Sequence, residues 1–219
     1  PARSALEKCD TKYHSVHICD LARDRSHMES LSVLQALVIV DVQPTFCEEG
    51  PLPVEGGNQV AADIAALVTS NHKYALVITT QDWHIEPGNH FSNDPDFIDS
   101  WPPHGVADSP DAALHPALSN ATQHIDREVR KGQYAAAYSG FEGTTKDGIS
   151  LLTLLRDAEI ANVDIVGLAF DHCVRATALD AAREGFITKV LVGLTASVAN
   201  HTAAAARVEL RGAGVILEK

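Results

Sequence analysis

The sequence predicts an α/β fold, a doubly wound three-layer architecture around a central, mainly parallel sheet of roughly six strands. Short, near-continuous apolar runs such as residues 36–40 have the composition of strands that are buried on both faces, as parallel strands are. Segments with helical periodicity separate these runs, and this alternation indicates right-handed crossovers between parallel strands. In such sheets, ligands bind beyond the carboxyl ends of the strands, so the functional residues are expected there.

The elements follow from local patterns taken in chain order. Asn58 and Asn200 are the expected N-caps of two of the helices. The segment 82–120 holds most of the prolines and little periodicity, which is typical of a functional or disordered loop. The predicted strands are 36–41, 74–80, 125–131, 163–169, 188–194 and 215–217, and the predicted helices are 58–67, 149–155, 174–182 and 200–210.

Composition limits the possible partners of the chain. The chain has 219 residues, of which 45% are hydrophobic, and this is enough apolar material for one substantial core. We therefore expect residues 31–219 to form one domain. A formal net charge of −12 argues against nucleic acid or an anionic membrane as a partner. No apolar run approaches the ~20 residues of a membrane span, so we expect a soluble, cytoplasmic protein. The four cysteines show no paired metal spacing, and we expect reduced thiols.

The first 30 residues do not resemble the rest of the chain, because they carry many charges and little apolar periodicity. Met28 is the only methionine and follows His27, and a His-Met pair is what a common cloning site encodes. Residues 1–30 are therefore interpreted either as vector-derived sequence before a native start at Met28 or as a genuine N-terminal extension.

Three chemistry-bearing residues fall where predicted strands end. Asp41 and Lys131 each end a strand, and Cys173 follows another at the start of a helix, where backbone N–H groups and the helix dipole favour a thiolate. A carboxylate that takes the thiol proton and an ammonium that lowers the thiol pKa would activate such a nucleophile. The alternative for Cys173 is a small, buried apolar side chain. His172 is expected to be structural, because adjacent side chains diverge at a strand-to-helix turn.

A second constellation lies in the long loop region. Asp82, His84, His90 and His104 combine one carboxylate and three imidazoles, which suits a borderline divalent ion such as Zn, Mn or Fe. Pro and Gly residues between them fix their spacing, although loop histidines can also cluster by chance and stay solvated. Glu86 is a weaker ligand candidate and is expected to be an exposed surface acid.

Taken together, these segments resemble the nicotinamidase/pyrazinamidase group of the isochorismatase-like cysteine hydrolases. The resemblance spans residues 36 to about 217, and its specificity comes from all the motifs occurring in this order. The segments are LVIVDVQPTFC (37–47), QDWHIEPGNHFS (81–92), WPPH (101–104), KG (131–132), YSGFEG (138–143) and DHCVRAT (171–177).

The resemblance implies hydrolysis of nicotinamide to nicotinate and ammonia in NAD salvage, and also of pyrazinamide, through a thioacyl-enzyme and with one divalent metal ion (Zn, Fe or Mn). It implies a cis peptide bond between Leu168 and Ala169. Pro44, Thr45 and Gly105 depart from the usual pattern, where Asn, Asp and often Cys stand. The implied site residues are a catalytic triad of Asp41, Lys131 and Cys173, metal ligands Asp82, His84, His90 and His104, ring-binding residues Phe46, Trp101 and Tyr138, and oxyanion-hole N–H donors Ala169 and Cys173.

Three other functions remain open from the sequence. A sibling amidase acting on a carbamoyl or ureido substrate would share the triad, but such enzymes do not resemble this chain over residues 82–104. A metallohydrolase would use a metal-bound water and leave Cys173 structural, and an inactive metal-binding or interaction protein would release no ammonia. The expected partner is a small-molecule substrate, and the sequence leaves open whether the chain forms a homo-oligomer.

Overall fold

A computed structural model of the chain describes residues 33–70 and 72–219, and both interpretations of residues 1–30 lie outside the described residues. Its centre is a six-stranded sheet in which every pairing is parallel, in the order β3-β2-β1-β4-β5-β6. The predicted doubly wound α/β class is confirmed. The strands are β1 (Gln35–Val40), β2 (Leu76–Asp82), β3 (Arg127–Lys131), β4 (Asn162–Gly167), β5 (Ile187–Thr195) and β6 (Ile216–Glu218).

The central strands are apolar on both faces because each face packs against its own core. In β1, Ala36, Val38 and Val40 contribute to one core, whereas Leu37 and Ile39 contribute to the other. This alternation follows from the two-residue period of a strand. Burial on both sides explains why the sequence of β1 reads as a continuous apolar run rather than an alternating one.

Helices cover both faces of the sheet and complete the three layers. One core includes side chains from α1 (Gly57–Thr69), and the other includes side chains from α2 (Leu151–Asp157), α3 (Arg175–Arg183) and α4 (Asn200–Gly212). Among the described residues, no helix is long and apolar enough to cross a bilayer.

Both predicted N-caps are wrong, because neighbouring residues cap the two helices. Gly56, with φ 86°, is the N-cap of α1, and the N–H groups of Gly56 and Asn58 donate to the Glu48 carboxylate at 2.7 and 2.8 Å. Ala199 is the N-cap of α4. Its N–H donates to the Asp171 carboxylate at 3.2 Å. Each helix start thus has a carboxylate partner that lies at least eight residues earlier in the chain, outside the capping position itself.

The strand order reverses beside β1, and this places the site. From β1 the chain adds β2 and β3 on one side, and then β4, β5 and β6 on the other. The carboxyl ends of β1 and β4 therefore border the crevice that such a switch point creates. Asp41 follows β1 directly, Asp82 and Lys131 end β2 and β3, and Cys173 follows β4 within a few residues.

Candidate active site

Asp41, Lys131 and Cys173 meet in the interior at this edge of the sheet. The Lys131 ammonium lies 2.9 Å from Asp41 Oδ2 and 3.7 Å from Cys173 Sγ, and it also contacts the Asp82 carboxylate. Lys131 Nζ donates to the Ala137 carbonyl at 3.1 Å as well. The side chains of Lys131 and Asp41 are 0% exposed. A buried ammonium or carboxylate stays charged only when its partners compensate for the hydration that it has lost.

Asp41 is oriented by its own backbone and by Thr80. Its φ of 48° turns the chain out of the sheet directly after β1, and the Thr80 hydroxyl donates to Asp41 Oδ1 at 2.6 Å. Within the described part of the chain, the buried Oδ2 atom has no aligned hydrogen-bond donor, although Lys131 Nζ is near. Oδ2 therefore keeps a lone pair on the Lys131 side of the carboxylate, where Cys173 also lies.

Burial and charge together set the protonation states. Burial raises the pKa of Asp41 despite the opposing effect of Lys131. It likewise raises the pKa of the Cys173 thiol well above its ordinary value, and Lys131 only partly offsets this. Burial alone would lower the pKa of Lys131, but Asp41 and Asp82 hold it well above its usual range. For Asp82, burial would raise the pKa, but Lys131 beside it keeps the pKa low.

Burial therefore opposes the thiolate that a helix start is expected to favour at Cys173. Residues Phe170–Val174 form a π-helical turn that continues into α3, and Cys173 lies within that turn, deeply buried. A thiolate would add a third negative charge beside Asp41 and Asp82, with Lys131 as the only adjacent cation in the described chain. A proton passed from Cys173 to Asp41 adds no net charge, so this transfer is the accessible route to a nucleophile.

Three buried histidines form a cluster beside the triad. The ligand atoms of His84, His90 and His104 all lie within 4.8 Å of one another. Asp82 Oδ2 is 3.6 Å from His84 Nε2 and 3.7 Å from His104 Nε2. Two donors bound to one tetrahedral ion at about 2.1 Å each lie about 3.4 Å apart, so this spacing fits a divalent ion. Asp82 thus connects the cluster to Lys131.

Backbone carbonyls orient the imidazoles for such an ion. Gly132 O accepts from His84 Nδ1 at 2.5 Å, and Pro102 O accepts from His104 Nδ1 at 2.8 Å. Both contacts direct Nε2 toward the centre of the cluster, and His84 Nε2 is buried without a hydrogen-bond partner among the described residues. Burial lowers the pKa of His104 to about 4, so its imidazole is neutral, as a metal ligand must be. Glu86, by contrast, is exposed, as expected.

A pocket of about 250 Å³ opens onto Cys173 of the triad and onto His90 and His104 of the histidine cluster. The predicted ring-binding residues Phe46, Trp101 and Tyr138 line it together with Cys173 and Ala169. Trp101 Nε1 donates to the Tyr138 hydroxyl at 3.0 Å, and the Phe46 ring lies 5.8 Å from that of His104. These aromatic walls suit a small planar ring.

The backbone at the base of the pocket has the geometry that the resemblance implies. The Leu168–Ala169 peptide bond is cis. Among the described residues no acceptor bonds the Ala169 N–H, whereas the Phe170 N–H donates to Ala196 O at 2.7 Å. Ala169 N–H is therefore available to a ligand oxygen in the pocket.

Sequence reasoning assigned no role in the site to several residues that the structure brings there. His172, which the sequence predicts to be structural, lines the pocket, with its ring stacked 6.4 Å from Tyr138 and edge-on 5.6 Å from Trp101. His172 belongs to the same π-helical turn as Cys173. Thr45 Oγ1 accepts from the Gly105 N–H at 3.1 Å, so two positions that depart from the pattern contact each other. Gln43 contacts Asp82 and is considered below.

The isochorismatase domain model matches residues 35–218. The chain therefore belongs to the isochorismatase family. Within this family, the nicotinamidase/pyrazinamidase of Mycobacterium tuberculosis is 49% identical over 184 residues, which cover 84% of this chain and 98% of the relative. The Escherichia coli nicotinamidase is 34% identical, over 72% of this chain and 80% of the relative.

Solved structures of isochorismatase-fold enzymes superpose on the chain. L. infantum PnC1 in complex with nicotinate gives a TM-score of 0.74 at 36% identity, covering 85% of this chain and 93% of that chain. Pyrococcus horikoshii pyrazinamidase in complex with zinc gives 0.70 at 30% identity, covering 84% and 98%. The first of these structures thus contains a pyridine carboxylate, and the second contains a metal ion.

Proposed function

We propose that this chain hydrolyses nicotinamide to nicotinate and ammonia, and also pyrazinamide, as a cysteine amidohydrolase. The observation that carries the proposal is a single pocket that joins a buried Cys–Lys–Asp group to a three-histidine cluster. The pocket volume of about 250 Å³ and its aromatic walls suit one heteroaromatic ring bearing a carboxamide. The named activities of the Mycobacterium tuberculosis and Escherichia coli relatives support this choice of substrate.

In the proposed reaction Asp41 takes the thiol proton of Cys173, and the resulting thiolate attacks the carboxamide carbon. The backbone N–H groups of Ala169 and Cys173 hold the oxyanion. The tetrahedral species then expels ammonia, which leaves with the proton held by Asp41, and a thioester remains on Cys173. Asp41 next takes a proton from water, and the hydroxide hydrolyses the thioester and releases the acid and the thiol.

Lys131 stays protonated throughout and compensates whichever neighbour is negative. Before attack its closest negative partners are Asp41 and Asp82, and once the proton has moved it faces the Cys173 thiolate at 3.7 Å. Its ammonium therefore stabilises the charge distribution on either side of the proton transfer. Lys131 therefore lowers the free energy required to move the thiol proton from Cys173 to Asp41 in this low-dielectric site.

The histidine cluster and Asp82 would hold one divalent ion, Zn, Fe or Mn. When bound, that ion supplies a Lewis-acid contact for the ring nitrogen and so orients the carboxamide. The aromatic side chains Phe46, Trp101 and Tyr138 fix the plane of the ring, so the carbonyl carbon faces Cys173. A cytoplasmic location and the absence of nucleic-acid or membrane partners stay predictions.

The test is ammonia release from nicotinamide by zinc-loaded protein, with benzamide at the same concentration as the matched substrate. Benzamide has the same carboxamide and ring size but lacks the ring nitrogen. We expect rapid release from nicotinamide and little from benzamide. Release from neither would contradict the proposal and favour a sibling amidase, whereas equal release from both would contradict the role assigned to the ring nitrogen.

A further inference from the structure

The backbone of Asp82 lies where β1 has already left the sheet. The register of β1 with β2 ends at Ile39 opposite Thr79, and the last bond between them is Asp41 N–H to Thr80 O at 3.1 Å. On the other side of β2, Trp83 N–H donates to Lys131 O at 3.0 Å. Because backbone groups of a strand point alternately to its two neighbours, the N–H and C=O of Asp82 face the gap that β1 leaves.

The side chain of Gln43 fills this gap and takes the place of the missing strand residue. Its Oε1 accepts from Asp82 N–H at 2.8 Å, and its Nε2 donates to Asp82 O at 3.0 Å. The same Nε2 donates to Ala112 O at 2.8 Å, and the side chain is completely buried. A primary amide has the donor and acceptor arrangement of a peptide group, which explains why Gln suits this position.

A shift of the Asp82 backbone would change the contacts of its carboxylate both with Lys131 and with the histidine cluster. Its Oδ1 contacts Lys131, and its Oδ2 lies 3.6 and 3.7 Å from the Nε2 atoms of His84 and His104. We propose that Gln43 is a positioning residue that fixes the Asp82 carboxylate between Lys131 and the histidine cluster. This inference rests on the proposed function for the metal role of Asp82, but its backbone contacts stand independently of that role.

Gln81 provides a matched control within the same structure. Its Nε2 also donates to Ala112 O at 2.8 Å, and it is also buried, at 3% exposed. Its Oε1 has no hydrogen-bond partner among the described residues, and neither end of its amide bonds to Asp82. Replacing either glutamine by Met removes one donor to Ala112 O, but only the change at position 43 also releases the Asp82 backbone.

The experiment compares wild-type protein, Gln43→Met and Gln81→Met by competition for Zn²⁺ with a chromophoric chelator. Loss of an outer contact to a metal ligand typically lowers metal affinity 10- to 100-fold, so we expect a loss of about that size for Gln43→Met. We expect Gln81→Met to bind Zn²⁺ about as tightly as wild type. Similar affinity losses in both variants would overturn the positioning role, because they would indicate a general effect of the lost Ala112 contact.

Amide hydrogen exchange in the metal-free proteins gives a second readout that does not depend on metal. We expect the Asp82 amide to exchange at least about tenfold faster in Gln43→Met than in wild type or Gln81→Met. Unchanged exchange would overturn the inference. Failure of wild type to bind Zn²⁺ would instead refute the proposed metal site, and the exchange result would then decide the role of Gln43. Should Gln43→Met not fold, Gln43→Asn replaces it, because its amide is one methylene too short to span the gap.

Discussion

Replacing Lys131 by Met should destabilise the metal-free protein far more than an ordinary surface change. Lys131 compensates two buried carboxylates, and the side chains of Lys131, Asp41 and Asp82 are 0%, 0% and 4% exposed. With Lys131 the three charges sum to −1, and without it the two carboxylates sum to −2 in a buried site. Breaking a buried ion pair in this way costs about 3–5 kcal/mol, and one carboxylate is then expected to take up a proton.

The assay is urea or thermal unfolding of chelator-treated protein, with Lys189→Met as the control. Lys189 also contacts two carboxylates, Asp164 at 3.9 Å and Glu218 at 3.0 Å, but its side chain is 28% exposed. We expect about 1 kcal/mol or less for the control. For Lys131→Met, 3–5 kcal/mol corresponds to a fall in Tm of about 6–20 °C for a domain of this size. A loss no larger than that of Lys189→Met would refute the reasoning.

Two further predictions concern the nucleophile and the loop beside it. Cys173→Ala should abolish ammonia release while Zn²⁺ affinity stays at the wild-type level, and mass spectrometry of wild type under substrate should show an acyl adduct on Cys173; retained turnover would exclude the thiol mechanism. Asp171→Ala should cost about 1–2 kcal/mol at neutral pH, because the carboxylate accepts from Val198 N–H at 3.0 Å and Ala199 N–H at 3.2 Å, at the start of α4, and from the Thr202 hydroxyl. Burial alone would raise the pKa of Asp171, but these bonds hold it below its ordinary value of 3.8, so the stabilisation is present above pH 3.8 and lost as pH falls through the lowered pKa. Urea unfolding across that range measures it, and a difference between variant and wild type that grew on acidification would contradict the assignment.

The order and type of the regular elements could be predicted because each depends on a local pattern. The apolar run of β1 and the helical spacing after Cys173 are both visible in the sequence, and the structure has a strand and a helix there. The first and last residues of the elements are predicted less accurately than their order and type. The second strand, expected over 74–80, is Leu76–Asp82, and this shift puts Asp82 in the strand rather than in the loop after it. Strand ends depend on pairing with neighbours, and local composition does not contain that information.

Protonation could not be predicted from position along the chain. The start of a helix favours a thiolate, but burial raises the pKa of Cys173 because two carboxylates and little water surround it. The number of carboxylates near Lys131 is also a tertiary fact. Asp82 was expected to be a metal ligand, and in the structure it is also an ion-pair partner of Lys131.

The amino-acid sequence by itself determined the fold class, the order of the strands along the chain, and the set of residues from which the candidate site is built. The fold class and the order of the strands follow from hydrophobic period, which is a local property, whereas the full set of site residues is what the resemblance to the family implies. The tertiary structure decided which charged groups form ion pairs with one another. It also decided which backbone atoms lack a hydrogen-bond partner within the sheet and which side chain supplies that partner. Gln43 illustrates the difference, since its role arises only because β1 leaves the sheet at Asp41 and exposes the Asp82 backbone across a gap that nothing in the neighbouring sequence reveals.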